Sequence, residues 1–493
     1  MKQKTDAHNN MTVKSLLGAL LAMVLALITA QGALAAPLES ETMTIEIHKF
    51  EQPDERGVPS NGLVQDTTGL RPIKAATFTA KRVPGIDLTT IAGQQAASVL
   101  AANDAADLVS NVPAAASATT DASGNATLTP LDAGLYYVEE VMTPAGYVEA
   151  VPFLVALPLT DPVSRDQWLT TVHIYPKNAV ASISLDVVDQ DAIVLGDIVH
   201  WTSTSTIPNV PSLDGYRVEQ VIDTKLEYTG TPVVSIAGGA PLTPGVDYTV
   251  TFDPDTNTVA IEFTDAGLRK LEDALERDPN STVTIEYDTI VLREGELINE
   301  AILYPSRSSI DDGRGVSDTA ITKWGPLSVV VHEYGNPSNL IANACFMVYA
   351  SEADARAQRN PISVDGVNQW VTDDQGRFIV PGLRFSNFAN GLDRDPSDPL
   401  YRLYWAVPVC IPPGWTWVDD RPLAGAVNDV LQFQTLIFEV ERKPVPPSIP
   451  DMPVTGSQVA GLGFLGISFI LAGIIALASR RRQARDTGVS ASL

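Results

Sequence analysis

The sequence predicts an all-β chain of tandem β-sandwich modules, and two observations carry that reading. Short segments alternate apolar and polar residues with period two, among them VHWTSTSTI (Val199 to Ile207), DYTVTF and TVTIEYDTIV, separated by Gly, Asp and Pro turns. That is the pattern of half-buried antiparallel strands. The first and last thirds also repeat one another. IHKF (Ile47 to Phe50) matches VHEY (Val331 to Tyr334), and Ala76-x-Phe78 matches Ala344-x-Phe346. TDASGNATLTPL (Thr120 to Leu131) matches TDDQGRFIVPGL (Thr372 to Leu383). Tyr136-x-Val138-x-Glu140 with Pro144-x-Gly146-Tyr147 matches Tyr404-x-Ala406-x-Pro408 with Pro412-x-Gly414-Trp415. A pattern kept in order and register marks two copies of one module.

Other segments fill in the plan. The Ala-rich stretch Thr89 to Val109 reads as a helical insertion in the first copy. In the middle third, Leu268, Leu271 and Leu275 mark one amphipathic helix. DPDTN (Asp253 to Asn257) lacks the Gly and the terminal Glu of a calcium loop, so it reads as a hairpin turn between DYTVTF and TVAIEF.

The two ends are signals. Lys2, Lys4 and Lys14 precede an apolar run from Leu16 to Ala30 and the small-residue exit Ala33-Leu34-Ala35, so residues 1–35 read as a secretory leader. At the other end, Pro444, Pro446, Pro447 and Pro450 form an extended spacer before Met452, Pro453, Val454, Thr455 and Gly456. Val459 to Ser479 is long and apolar enough to span a bilayer, and Arg480, Arg481, Arg482 and Arg485 place the tail inside. By itself that pattern also describes a plain single-pass membrane protein. The intervening Ala36 to Thr455 has room for roughly three domains.

A net charge of -26 argues against nucleic acid and anionic membrane surfaces as partners. No metal spacing, nucleophile elbow or phosphate loop appears, so neither an enzyme nor a metal or other cofactor is expected. Cys345 and Cys410 fit no zinc or redox spacing. In an exported chain they are a candidate disulfide, with two buried thiols as the alternative.

WLTTVHIYPKN (Trp168 to Asn178) alternates and then stops. Val172 and Ile174 share a face, and Pro176 cannot donate to a ladder, so Lys177 stands where regular pairing should end. From the residues alone, Lys177 is either a solvated strand-end lysine or an amine kept for chemistry. In the same way Lys49 could be an edge lysine and Asn178 a turn residue.

The combination resembles a known family. WLTTVHIYPK is similar to a pilin motif, the Tyr136–Glu140 and Pro144–Tyr147 pattern to an E-box, and MPVTG with its apolar helix and basic tail to a cell-wall sorting signal, with Met452 in place of the usual Leu of LPxTG. On these motifs the chain resembles the SpaA-type, LPxTG-anchored major pilins of Gram-positive bacteria. The resemblance implies three immunoglobulin-like domains of the Cna-B and related type. These would be an N-terminal domain at 36–178, a middle one at 179–323 and a C-terminal one at 324–443. The spacer and sorting motif would take 444–456, and the membrane helix and tail 457–493.

The resemblance also implies chemistry. A class C sortase would cut after Thr455 and pass it to Lys177 of a neighbouring identical subunit, head to tail. A housekeeping-type sortase would finally attach the fimbrium to peptidoglycan, with accessory pilins as further partners. Within the first domain, Lys49 and Asn178 would form an isopeptide bond with Glu140 as proton shuttle. In the middle domain Asp223 and Asn299 match the acid and the amide, but Leu185 or a neighbour stands where the amine belongs, so no bond is expected. In the last domain Glu333 replaces the lysine and Pro408 the E-box glutamate, and a Cys345–Cys410 disulfide would be the substitute staple. The other reading is a wall-anchored monomeric adhesin or base pilin, which has the same fold and anchor but no use for Lys177.

Overall fold

The computed structural model describes residues 42–53, 59–430 and 434–444. The leader, MPVTG and the apolar helix lie outside the described residues. Among the described residues, those up to Pro413 together with Trp417–Val440 form one compact unit, and Gly414–Thr416 with residues 441–444 fall in a second. In the second, Lys443 N donates to Gly414 O at 2.9 Å, and the Arg442 guanidinium lies over the Trp415 ring.

The first part of the large unit is a two-sheet sandwich. The strand Met43–His48 buries Met43, Ile45 and Ile47 on one face. It runs antiparallel to Asn125–Leu131 on one side and parallel to Thr171–Ile174 on the other. The facing sheet has the order Ala116–Thr119, Thr77–Arg82, Gly134–Met142, Phe153–Leu157. Ile45, Ile47, Phe78, Leu128, Tyr136 and Val138 fill the space between them. The Ala-rich insertion forms two helices, Ile91–Val99 and Ala102–Val109, the first capped by the Thr90 hydroxyl. Ala105 and Val109 pack against Leu135 and Tyr137.

The same plan returns near the C-terminus, which gives the internal repeat its physical meaning. The strand Val316–Glu333 lies between antiparallel Arg377–Arg384 and parallel Thr435–Arg442. Its facing sheet has the order Trp370–Val371, Cys345–Tyr349, Tyr404–Cys410, Leu423–Gly425. The matched residues make matched bonds. Thr120 accepts from Ala76 N and donates to Ile73 O; Thr372 accepts from Ala344 N and donates to Ile341 O. Asp121 and Asp373 each accept two turn amides. Tyr136 and Tyr404 each close a corner by donating to a backbone carbonyl, of Asp132 and Arg384 respectively. Gly124, at φ +77, brings its turn so close to Lys49 O that a Cβ there would collide with that oxygen.

In one respect the sheets differ from the all-antiparallel expectation. In both copies the first and last strands pair in parallel. Period two reports which face a residue occupies and is silent on strand direction.

The middle part has its own sandwich. One sheet has the order Ile183–Val188, Ile198–Thr206, Thr282–Val291, Leu226–Tyr228; the other runs Tyr248–Asp253, Thr258–Phe263, Arg217–Val221, Gly295–Tyr304 and on to Val316–Glu333. Asp253 pairs with Thr258 across the turn expected at DPDTN. The amphipathic helix is Asp265–Arg277, with Leu268 and Leu271 buried.

Val316–Glu333 is one continuous strand of 18 residues. Its first half pairs with Gly295–Tyr304 and its second with Arg377–Arg384, so it belongs to the middle and the last sandwich alike. A polar clasp reinforces this joint. Buried Asp189 accepts from Thr322 Oγ1 at 2.6 Å and Asn390 N at 2.7 Å, while Asn390 Oδ1 accepts from the backbone of Asp189 and Gln190. The Arg402 guanidinium donates to Ala192 O and Gln190 O. Arg402→Ala, which removes both charged donors, is expected to lower stability by about 1.5–3 kcal/mol in urea unfolding.

Candidate functional site

Alternation places the site. Along Met43–His48 the odd-numbered residues face inward, and Lys49 continues that face beyond Ile47. Along Gly134–Met142, Tyr136 and Val138 point into the core, and Glu140 follows on the same face. At Tyr175-Pro176 the pilin-motif strand breaks, and Lys177–Val180 pairs with Phe50–Glu51 and Tyr147–Val148 in a separate small sheet. The first and last strands therefore both change sheets here, and Asn178 is turned inward beside Lys49.

The three side chains meet in the dry interior. Lys49 and Asn178 are fully buried, and the Glu140 side chain has no exposed surface. Lys49 Nζ donates to Glu140 Oε2 at 2.8 Å and also to Asn178 Oδ1. Asn178 Nδ2 donates to Glu140 Oε1 at 3.0 Å. Two further donors hold the carboxyl: Thr143 Oγ1 on Oε1 at 3.1 Å and Ala150 N on Oε2 at 3.0 Å. The Lys49 Nζ lies 5.3 Å from the centre of the Phe78 ring. Burial pulls the Lys49 pKa down to about 8, against the opposing pull of Glu140.

Asn178 shows its oxygen to the lysine and its nitrogen to the glutamate. An ammonium only donates and a carboxylate only accepts, so this orientation satisfies both while they are charged.

Lys177 is neither fully solvated nor beyond the end of pairing. It begins a short strand opposite Phe50 and is half-buried, and burial lowers its pKa. Asn178, one residue on, lies on the opposite face of that strand.

The other positions take different forms. Asn299 is buried, accepts from Asp223 N at 2.9 Å and donates to the Tyr287 hydroxyl at 3.2 Å, while Leu185 sits in the apolar core. The Asp223 carboxylate accepts from Lys225 N and Ile298 N. In the last sandwich the Glu333 carboxylate accepts from Asn339, and Pro408 stands opposite Phe346. Cys345 and Cys410 are ladder partners with sulfurs 2.09 Å apart. They correspond to Thr77 and Met142 of the first sandwich, which are also paired. This tie joins two neighbouring strands of one sheet, whereas Lys49 and Asn178 belong to the first and last strands. Met452, Pro453, Val454, Thr455 and Gly456 lie outside the described residues. Sequence reasoning missed Thr143 and the Ala150 amide, because a hydroxyl three residues past a glutamate and a bare backbone N–H carry no motif.

Residues 40–179 match the family described as Gram-positive pilin subunit D1, N-terminal domain. The chain is 28% identical to fimbrial subunit type 1 of Actinomyces viscosus, over 95% of this chain and 98% of that one. It is 24% identical to fimbrial subunit type 2 of Actinomyces naeslundii, over 94% of each. The full-length major pilin SpaD from Corynebacterium diphtheriae has a similar structure, with TM-score 0.59 and 23% identity over 83% of this chain and 100% of that one. The major pilin SpaA of the same organism gives TM-score 0.62 and 24% identity over 81% and 100%. These structures share the tandem-sandwich fold.

Removing one partner of a buried ion pair costs more than removing both. On an Asn178→Ala background, where no covalent tie can enter, Glu140→Ala is expected to cost about 3–5 kcal/mol in urea unfolding. The double change Lys49→Met with Glu140→Leu is expected to stay near neutral.

Proposed function

We propose that this chain, a Gram-positive pilin subunit by its N-terminal domain and its full-length fimbrial relatives, is the backbone subunit of a covalent surface fimbrium. The observation that carries the reading is the buried Lys49–Glu140–Asn178 cluster directly beside Lys177 in the chain. In the reaction we infer, neutral Lys49 attacks Asn178 Cγ. A C–N bond forms, the bond to Nδ2 breaks, and ammonia leaves. Glu140 takes the proton at the amine and returns it at the leaving nitrogen, its two oxygens facing one group each. The low-dielectric setting strengthens this relay, and packing keeps the pair in contact. The product ties the first strand to the last, and Lys177 then projects from a covalently fixed segment.

Polymerisation follows from the two ends. A class C sortase thiolate cuts the Thr455–Gly456 peptide and holds Thr455 as a thioester; the Lys177 amine of the next subunit displaces the thiolate. Head-to-tail contacts that do not close make a filament. Accessory pilins join it, and a housekeeping-type sortase fixes it to peptidoglycan, which places the subunit outside the cell on the wall.

Lys177→Ala should collapse the high-mass ladder of wall extracts boiled in SDS to monomer. A ladder that persists would move the acceptor to another lysine; no ladder in the native strain would favour a wall-anchored adhesin. The Lys49 pKa adds a second expectation. The attacking form is the neutral amine, whose share grows as pH rises through about 8. Newly folded chain should therefore crosslink faster at pH 9 than at pH 7, with the rate levelling above, as followed by intact mass.

A further inference from the structure

We infer that Thr143 is a positioning residue for the internal crosslinking reaction; this rests on the reading of Lys49, Glu140 and Asn178 given above. Each oxygen of the Glu140 carboxyl has one reactant donor and one frame donor. Oε2 receives Lys49 Nζ and the Ala150 amide; Oε1 receives Asn178 Nδ2 and the Thr143 hydroxyl. The two frame donors bracket the turn Pro144-Ala145-Gly146, where Gly146 at φ +84 folds the chain back toward the glutamate. Without frame donors the carboxyl could rotate about its terminal bond, which is soft and broad in glutamate. With them, one oxygen is held to the amine and the other to the leaving nitrogen.

That division of labour is what the proton transfer needs. As the Lys49–Asn178 bond forms, one oxygen must take a proton from Nζ while the other delivers one to Nδ2, which departs as ammonia. Thr143 neither gains nor loses a proton; its hydroxyl fixes which oxygen faces which group. It is 6% exposed, so water does not readily substitute for it. A small displacement of a reacting group is costly to rate.

The test uses the full chain, translated and purified under denaturant, then refolded by dilution, with loss of one ammonia followed by intact mass. Thr143→Val keeps the shape and removes the donor, and is expected to slow crosslinking about ten- to a hundredfold. Thr143→Ser restores the donor and should recover most of the rate. Crosslinking by the valine variant at the native rate overturns the inference, as does equal slowing by valine and serine, which would make the effect one of packing. A native chain that never loses ammonia overturns the underlying reading, and the inference with it; slowing confined to the valine variant supports both.

Discussion

A lysine with no access to water is the constraint on which the first sandwich turns. Lys49 is carried into the core by strand alternation, because the residue beyond Ile47 on that face has nowhere else to point. A buried cation is costly unless it is paired and hydrogen-bonded. Its two partners come from strands distant in sequence, Glu140 from the facing sheet and Asn178 from the last strand. The cluster therefore pins the first strand, the facing sheet and the last strand to one point. Burial lowers the lysine pKa to about 8, against the opposing pull of Glu140.

The three sandwiches meet the demand for cohesion by different means. In the first, the polar cluster joins that sandwich's own first and last strands. In the middle, Asn299 serves as a satisfied core amide between Asp223 N and Tyr287, with Leu185 giving the core apolar bulk. In the last, the paired cysteines tie the second strand to the E-box strand, a different pair from that joined by Lys49 and Asn178. There the first and last strands lie side by side in a parallel backbone ladder. The middle and last sandwiches share Val316–Glu333 and the Asp189–Asn390 clasp, so force entering one passes into the other through backbone hydrogen bonds and buried side chains.

Much of this was legible in the sequence, for identifiable reasons. The repeat was readable because the turn residues that terminate strands, such as Asp121 and Asp373, sit at fixed offsets from the threonines they follow. The meeting of Lys49, Glu140 and Asn178 was readable through motif resemblance, since period two fixes the inward face of each strand but not which strands adjoin. Parallel pairing of first and last strands was invisible, because direction leaves no mark on alternation. The strand at Lys177 was missed because Pro176 ends one ladder without preventing a second from starting at the next residue. The Asp189–Asn390 clasp joins residues about 200 apart, beyond the reach of any local pattern.

Tandem mass spectrometry of the mature chain, digested after reduction of its cysteines, tests the Lys49–Asn178 bond directly. The expected product is a branched peptide joining the Lys49 and Asn178 segments, lighter by one ammonia than its two parts. Recovery of the two segments as separate linear peptides, each with its full mass, would contradict it.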